Sequence, residues 1–308
     1  MKALVVGYGS IGSRHARILT ELGCTTAVVS KRDVDFPVAY RSLAEACAAG
    51  HPGYVVIANA TAQHHASLAE LARLGYDGIV LVEKPLFSNG ADAIPPSIRQ
   101  LFVAFNLRFH PVMQRLKTLL SGEQILSVQA YVGQYLPDWR PAVDYRASYS
   151  ASTEQGGGVL RDLSHELDYL TWLLGKSKRV SALGGHLSAL EITSDDTFAL
   201  MLVTEACPVV TLQLNYLDRA GRRSILINTS KHTIEANLIA GTLTIDRDVE
   251  TFVVARDDTY RLMHEAVLSG SSGNLCTRAE GIETLRLIEA AELAAKRGTW
   301  IERQAPES

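Results

Sequence analysis

The chain has 308 residues, 47% hydrophobic and 20% charged, with a formal net charge of −3. That is globular composition with length for about two domains, and it lacks the basic excess expected of a nucleic-acid or anionic-membrane binder. Its apolar runs fall short of the roughly 20 residues a bilayer span needs. The start, MKALVVGYG, runs into a glycine motif and does not read as a signal peptide. Cys24, Cys47, Cys207 and Cys276 form no CxxC pair, which fits reduced thiols in a cytoplasmic protein and offers no metal framework.

Lys2–Val6 is a short apolar run ending in Gly7-Tyr8-Gly9-Ser10-Ile11-Gly12. Ile11, His15, Ile18, Leu19 and Leu22 then recur at helical spacing. Strand, GxGxxG and helix in that order are the context a dinucleotide fingerprint requires. Gly7 allows the tight turn, Gly9 lets the backbone approach a pyrophosphate, and Gly12 lets helix and strand pack closely. Ser10 and Ile11 open the helix whose first amides face the phosphates. Thr25–Val29 is the second strand and leads into Ser30-Lys31-Arg32. An NAD site usually carries an acid here for the ribose 2′-hydroxyl. A hydroxyl and two cations suit a 2′-phosphate instead, so the sequence predicts NADP, with NAD kept open because Asp33 follows.

Residues 53–58 (GYVVIA) and 78–82 read as further strands, with a helix carrying Leu68, Leu71 and Leu74 between them. Alternating strands and helices predict a parallel, doubly wound sheet, with ligands at the carboxyl ends of its strands. Two segments fall at such ends: 59–65, beginning at Asn59, and Glu83-Lys84-Pro85. Asn59 and Glu83 are therefore expected at the cofactor. Pro85 restricts the backbone of Lys84. A lysine held beside a positive nicotinamide loses basicity and can serve as an acid or hydrogen-bond donor; elsewhere it is an exposed charge.

Residues 102–105 give one more strand and 106–111 cross into a helix with Met113, Leu116, Leu119 and Leu120. Residues 125–135 alternate like a strand. After a glycine-led helix come β-rich runs at 179–187, 197–203, 208–216, 223–228, 232–237, 243–246 and 251–254. Short turns separate most of them, which predicts an antiparallel meander. An amphipathic helix over 277–296 closes the chain. The expected fold is α/β: an N-terminal Rossmann dinucleotide-binding domain over 1–108, then a C-terminal α/β domain over 109–308 with an open, mostly antiparallel sheet. An open sheet of about seven strands leaves one face wet, so a homo-oligomer, dimer or tetramer, is expected through that face.

The glycine-led segment, 156–170, reads GGGVLRDLSHELDYL. Asp162, His165 and Asp168 stand three apart and so share one helix face. A polar helix surface is the plain reading; a proton-transfer site is the sharper one. A hydride leaving a carbinol carbon requires its hydroxyl proton to be removed, and the reverse requires one to be supplied; imidazole does either near neutrality. Three glycines let backbone pass close to a substrate. Upstream, 131–151 is dense in aromatics and arginine. Trp139 and Tyr145 are candidates to stack on a sugar or base. Arg140, Arg146 and Arg108 are candidates to hold a carboxylate or phosphate, which favours an anionic sugar such as a nucleotide sugar or sugar acid. A locally packed surface loop is the alternative. No metal is expected: His64 and His65 are adjacent, and no helix carries two histidines at i, i+4 with a carboxylate.

Together, Gly7-x-Gly9-x-x-Gly12, Glu83-Lys84-Pro85, Arg108 with His110-Pro111, the triple glycine ahead of Asp162, His165 and Asp168, and the TRAEG of 277–281 resemble the Gfo/Idh/MocA oxidoreductases. The resemblance implies a Rossmann domain plus an open-sheet domain, NAD(P), and oxidation or reduction of sugar, cyclitol or nucleotide-sugar carbons. It implies Lys84, His165 and Asp162 as catalytic residues and His64 as a strand-end histidine near the cofactor, with Asp168 orienting or structural. One departure stands out: Asp and His are four apart in the family pattern and three apart here. Two rival readings share the fold, a cofactor-retaining glycosidase-like enzyme and a non-catalytic dinucleotide-binding sensor. A sensor would lose the lysine or the histidine, and this chain keeps both.

Overall fold

The computed structural model describes residues 1–88, 90, 94–140 and 143–303. The chain begins with β1 (Lys2–Val6), α1 (Ser10–Glu21), β2 (Thr25–Val29), β3 (Ala39–Tyr40), α2 (Leu43–Gly50), β4 (Tyr54–Ile57), α3 (His64–Arg73), β5 (Ile79–Val82) and β6 (Gln100–Val103). These six strands pair in parallel in the order β6-β5-β4-β1-β2-β3. Val5, Val55, Val56, Ile57, Val80 and Leu81 are all buried, as strands covered on both faces require. The order reverses between β1 and β4, so the crevice where an open α/β sheet binds ligands opens at their carboxyl ends. Gly7 and Asn59 stand there, close enough that a Cβ on Gly7 would lie 2.7 Å from the Asn59 backbone.

The second part holds α4 (Pro111–Leu120), β7 (Ile125–Gly133), α5 (Val159–Asp162), α6 (His165–Leu174), β8 (Ser177–Gly185), β9 (Thr197–Thr204), β10 (Val210–Asn215), β11 (Arg222–Thr229), β12 (Thr233–Asn237), β13 (Thr242–Ile245) and β14 (Asp248–Thr251). β8, β9 and β10 form antiparallel neighbours, and so do β11 to β14. The sheet is not a simple meander. β7 lies between β10 and β11, parallel to the first and antiparallel to the second, so the chain steps over β7 between them. β14 also begins before the run expected at 251–254.

The chain then enters α7 (Asp258–Ser269), β15 (Cys276–Thr277), α8 (Arg278–Arg297) and β16 (Ile301–Glu302). α7 has no counterpart in the sequence-based expectation. It belongs with the first half: one compact unit comprises Met1–Phe109 with Arg256–Ile282, the other His110–Ala255 with the chain from Glu283 on. A single division at 108/109 therefore misplaces 256–282. The physical reason is packing. β15 pairs antiparallel with β6; Arg17 and Arg14 of α1 pair with Asp257, and Arg261 of α7 pairs with Glu21. β16 joins the second sheet beside β8 and brings it to nine strands. No helix among the described residues is long and apolar enough to cross a membrane.

The alternation in β9 sets which side chains carry stability. Leu200 is 1% exposed and the adjacent Met201 51%. Leu200→Ala should cost about 2–5 kcal/mol, read by urea unfolding; a loss below about 0.5 kcal/mol would mean that its face is not packed.

Candidate active site

The first unit assembles the glycine motif for three separate reasons. Gly7 has φ +95°, a backbone conformation that L side chains avoid. A Cβ on Gly12 would overlap the Gly7 carbonyl oxygen, so helix and strand touch backbone to backbone. Gly9 differs: it caps α1 with extended backbone, and a Cβ there would meet nothing within 4 Å. Nothing in the described chain demands a glycine at that position, whereas a ligand lying against the backbone would. No side chain caps α1 and no acid stands in its first turn, so its first N–H groups are open to an anion. Gly9 and Ser10 are exposed and Ile11 is half-buried.

At the end of β2, Ser30 is buried; its hydroxyl accepts from the Arg32 amide at 3.2 Å and lies 3.0 Å from the Arg32 carbonyl. The side chains of Lys31 and Arg32 are exposed, while Asp33 pairs with Arg41. The acid that left NAD open is thus held by a cation of its own unit. At the end of β4, Asn59 donates to Ser67 at 2.9 Å. His64 is only 1% exposed, with Nδ1 3.0 Å from the Leu86 carbonyl and Nε2 3.2 Å from the Asn59 carbonyl. Burial lowers its pKa. Its ring ties two strand-end loops together, so it shapes the crevice from beneath rather than reaching into it.

Glu83 is buried at the end of β5. Its Oε1 lies 2.8 Å from His15 Nε2, and Oε2 accepts the Lys84 amide at 3.1 Å. Burial alone would raise its pKa, but the hydrogen bond from His15, with the charge and backbone amide of Lys84, outweighs burial and holds it below the ordinary value. The expectation of Glu83 at the cofactor thus becomes a role under the turn, while Lys84 is half-buried on it. Arg108, expected to bind substrate, is 1% exposed and paired with Glu280 at 2.8 Å. Glu280 also accepts from the Thr277 amide and hydroxyl. The TRAEG segment therefore engages this arginine within the unit.

In the second unit the glycine-led segment is not one helix. α5 ends at Asp162, Leu163 and Ser164 form a turn, and α6 starts at His165. The shared face inferred from i, i+3 spacing does not apply across that break. Burial separates the residues instead. From Asp162 to Leu170 every residue is buried except His165, which is half-open. Asp162 accepts from the Tyr216 hydroxyl at 2.7 Å, and the Tyr149 hydroxyl also bonds to it. Burial, with the Asp162 carboxylate second, raises the pKa of both tyrosines. Trp139 packs edge-on against Tyr216 with ring centroids 5.2 Å apart.

Sequence reasoning missed Tyr216, Tyr149, Glu166 and Asp195 as partners. Glu166, fully buried, lies 2.8 Å from Arg223, and burial raises its pKa. Asp195 accepts from the Leu160 amide at the start of α5, and a Cβ on Gly158 would overlap its carboxylate. Burial raises Asp195 to about 6. Asp168 is buried at 1% exposure and does not face solvent as a substrate-binding acid would. In the aromatic segment, Pro141 and Ala142 lie outside the described residues. Arg146 pairs with Asp144 and Glu191 at 2.9 and 2.8 Å, and the Tyr145 hydroxyl accepts the Glu191 amide at 3.3 Å. Arg140 is exposed and, with Trp139 and Tyr145, lines a small depression whose floor includes Leu136 and Ser150.

Residues 113–235 match the sequence profile of the GFO/IDH/MocA C-terminal domain. This segment resembles a GFO/IDH/MocA C-terminal domain. The resemblance drawn from the motifs is thus supported within 113–235, and the matched residues include the triple glycine, Asp162 and His165. A search of curated proteins found no match. Among solved structures, the fold matches the WlbA dehydrogenase from Bordetella pertussis in complex with NADH and UDP-GlcNAcA. That match has a TM-score of 0.80 and 21% identity over 99% of both chains. It also matches levoglucosan dehydrogenase in complex with NADH and levoglucosan, at TM-score 0.85 and 16% identity over 100% of both chains. An oxidoreductase from Agrobacterium radiobacter in complex with NAD+, L-tartaric acid and magnesium aligns at TM-score 0.80 and 18% identity over 98% of both chains. At these identities the likeness is one of fold: a dinucleotide-type α/β unit and the GFO/IDH/MocA domain.

The glycines separate into two classes by experiment. Gly9→Ala should leave thermal stability unchanged and weaken nicotinamide-dinucleotide binding by at least about tenfold, the loss of roughly 1.4 kcal/mol. Gly12→Ala should lower stability as well. Fluorescence titration alongside thermal melts reads both, and full-strength binding by Gly9→Ala would dismiss the pyrophosphate contact.

Proposed function

We propose that the protein is an NAD(P)-dependent oxidoreductase that moves a hydride between a nicotinamide cofactor and a CH–OH carbon of a sugar derivative. The observation that carries this is Gly9, a glycine the fold does not need, at an uncapped helix start beside the switch point of a parallel sheet. The NADH complexes of the fold's relatives support it. When bound, the nicotinamide supplies or accepts the hydride. The chain's own residues do the rest. The α1 amides at Ser10 and Ile11 hold the pyrophosphate. Lys31 and Arg32, with Asp33 turned to Arg41, hold a 2′-phosphate and select NADP over NAD. His165 takes or returns the hydroxyl proton, Lys84 donates a hydrogen bond to the reacting oxygen, and Asp162 orients Tyr149 and Tyr216. Arg140, exposed beside Trp139, suits an anionic sugar such as a nucleotide sugar or sugar acid; Arg108 and Arg146 are engaged with acids of their own units. The four free cysteines are in keeping with a cytoplasmic setting.

The test incubates purified protein with NADPH or NADH and a panel of keto-sugars and UDP-sugars, following absorbance of the reduced nicotinamide. NADPH should be preferred, and Lys31→Ala with Arg32→Ala should erase that preference. Lys84→Ala and His165→Ala should each lower turnover by about a hundredfold or more with dinucleotide affinity retained. Parental rates in both variants would remove the site assignment. Cofactor that stays bound with no net consumption would favour the glycosidase-like reading, and binding with no turnover the sensor.

We also infer a homo-oligomer through the outward face of the nine-stranded sheet, supported by exposed Leu183, Met201 and Leu226 on that face. Light scattering at micromolar concentration should report a dimer or tetramer; the mass of one chain would remove the inference.

A further inference from the structure

Four buried side chains of the first unit form one continuous hydrogen-bonded line. His15 Nε2 lies 2.8 Å from Glu83 Oε1, His15 Nδ1 lies 2.7 Å from His264 Nε2, and His264 Nδ1 lies 2.9 Å from the Tyr54 hydroxyl. They come from α1, α7, β4 and the end of β5. His15, His264 and Tyr54 are 0% exposed and Glu83 9%. The proposed chemistry uses none of the first three, yet titratable groups at such depth carry a desolvation cost that needs a reason.

Donor and acceptor counting fixes the direction of the line. The Tyr54 hydroxyl stays protonated, because burial raises its pKa, so it can donate to His264 Nδ1. Burial holds His264 neutral; with Nδ1 accepting, its proton sits on Nε2 and points at His15 Nδ1. His15 then carries its proton on Nε2, aimed at Glu83. In this polarity every bond has one proton and the only charge is the carboxylate. Reversing it would make Tyr54 an acceptor, and among the described residues its hydroxyl has no second partner to take its proton. The groups around the line fit this arrangement. Tyr260 stands edge-on to His15 at 5.4 Å, and Arg14 lies over the Tyr260 ring and pairs with Asp257 at 3.2 Å. Lys84 is the cation that acts on Glu83 from the other side.

We propose that Tyr54, His264 and His15 are positioning residues that hold the Glu83 carboxylate against the Lys84 amide, so that α7 sets the placement of the Lys84 turn. The functional value of that placement rests on Lys84 being the reactive amine proposed above; the device itself does not. His15 alone could donate to Glu83, but a lone imidazole can also present the wrong tautomer or rotate. His264 and Tyr54 remove both freedoms by requiring an acceptor at His15 Nδ1.

The test reads the turn directly in the full chain, so it is decided whether or not Lys84 proves catalytic. Long-range proton–nitrogen spectra of histidine-labelled protein at neutral pH, assigned with His15→Gln and His264→Gln, should show both rings neutral with the proton on Nε2. An imidazolium at either ring, or an Nδ1–H form at His264, overturns the proposal. Hydrogen exchange then reads the Lys84 amide. His264→Leu, which removes the donor to His15, should speed exchange at Lys84 by about tenfold or more while the amides of Val5 and Val56 keep parental protection. His264→Gln, whose side-chain amide can donate in place of Nε2–H, should stay within about threefold of the parent. If the leucine variant does not fold, Tyr54→Phe carries the same measurement, with faster Lys84 exchange expected. Parental exchange in both overturns the proposal, as does a glutamine variant that behaves like leucine. Failure of Lys84→Ala to reduce turnover would strike the functional reading and leave these outcomes standing.

Discussion

A carboxylate buried at the end of a β-strand imposes the strictest condition on the dinucleotide unit. Left unpaired, Glu83 would cost several kcal/mol in desolvation. The fold meets that cost with a ring from α1 and the next backbone amide. Those two partners tie the first helix after the glycine motif to the turn carrying Lys84. The same α1 must approach β1 closely enough that Gly12 touches the Gly7 carbonyl. The first helix, the strand ends and the lysine turn are therefore held by one set of contacts.

The second unit handles buried acids differently. Asp162 is bonded by two tyrosine hydroxyls, Glu166 by Arg223 and Tyr169, and Asp195 by a helix-start amide. Each finds a partner within its own surroundings, and burial still raises Glu166 and Asp195. Against that background the half-open His165 is the exception in its segment. A buried, satisfied histidine would have been the ordinary outcome for a helix this apolar. The turn at Leu163–Ser164 is what turns His165 away from its neighbours' burial, because it restarts the helix at the imidazole.

The parallel strands were legible because strands buried on both faces read as unbroken apolar runs, as in YVVI of β4 and IVLV of β5. The strands of the second sheet were legible from alternation, since one face is open. What alternation does not encode is the order of strands, so the insertion of β7 between β10 and β11 could not be read from it. α7 was missed for a physical reason too. Its sequence, DTYRLMHEAVLS, buries a threonine and a histidine on the face turned to the first unit, and a polar pair in the core blurs the hydrophobic period. The break between α5 and α6 was hidden because Asp-Leu-Ser-His-Glu has no proline or glycine to mark it.

Arginines show most sharply where sequence reasoning stops. Arg108, Arg140 and Arg146 carry the same charge and the same fork of donors, and each was an equal candidate to bind an anion. Folding makes them unequal. Arg108 is buried against an acid that lies 172 residues away in sequence, and Arg146 stands between two carboxylates. Arg140 stays exposed beside an indole ring. Which cation remains for a ligand is decided by where the acids fall once the chain is folded. Glu280 comes to Arg108 because β15 pairs with β6 and carries the start of α8 to that edge of the sheet. A local motif can identify an arginine able to grip a carboxylate, but only the long-range pairing of the strands determines whether a carboxylate of the protein has already claimed it.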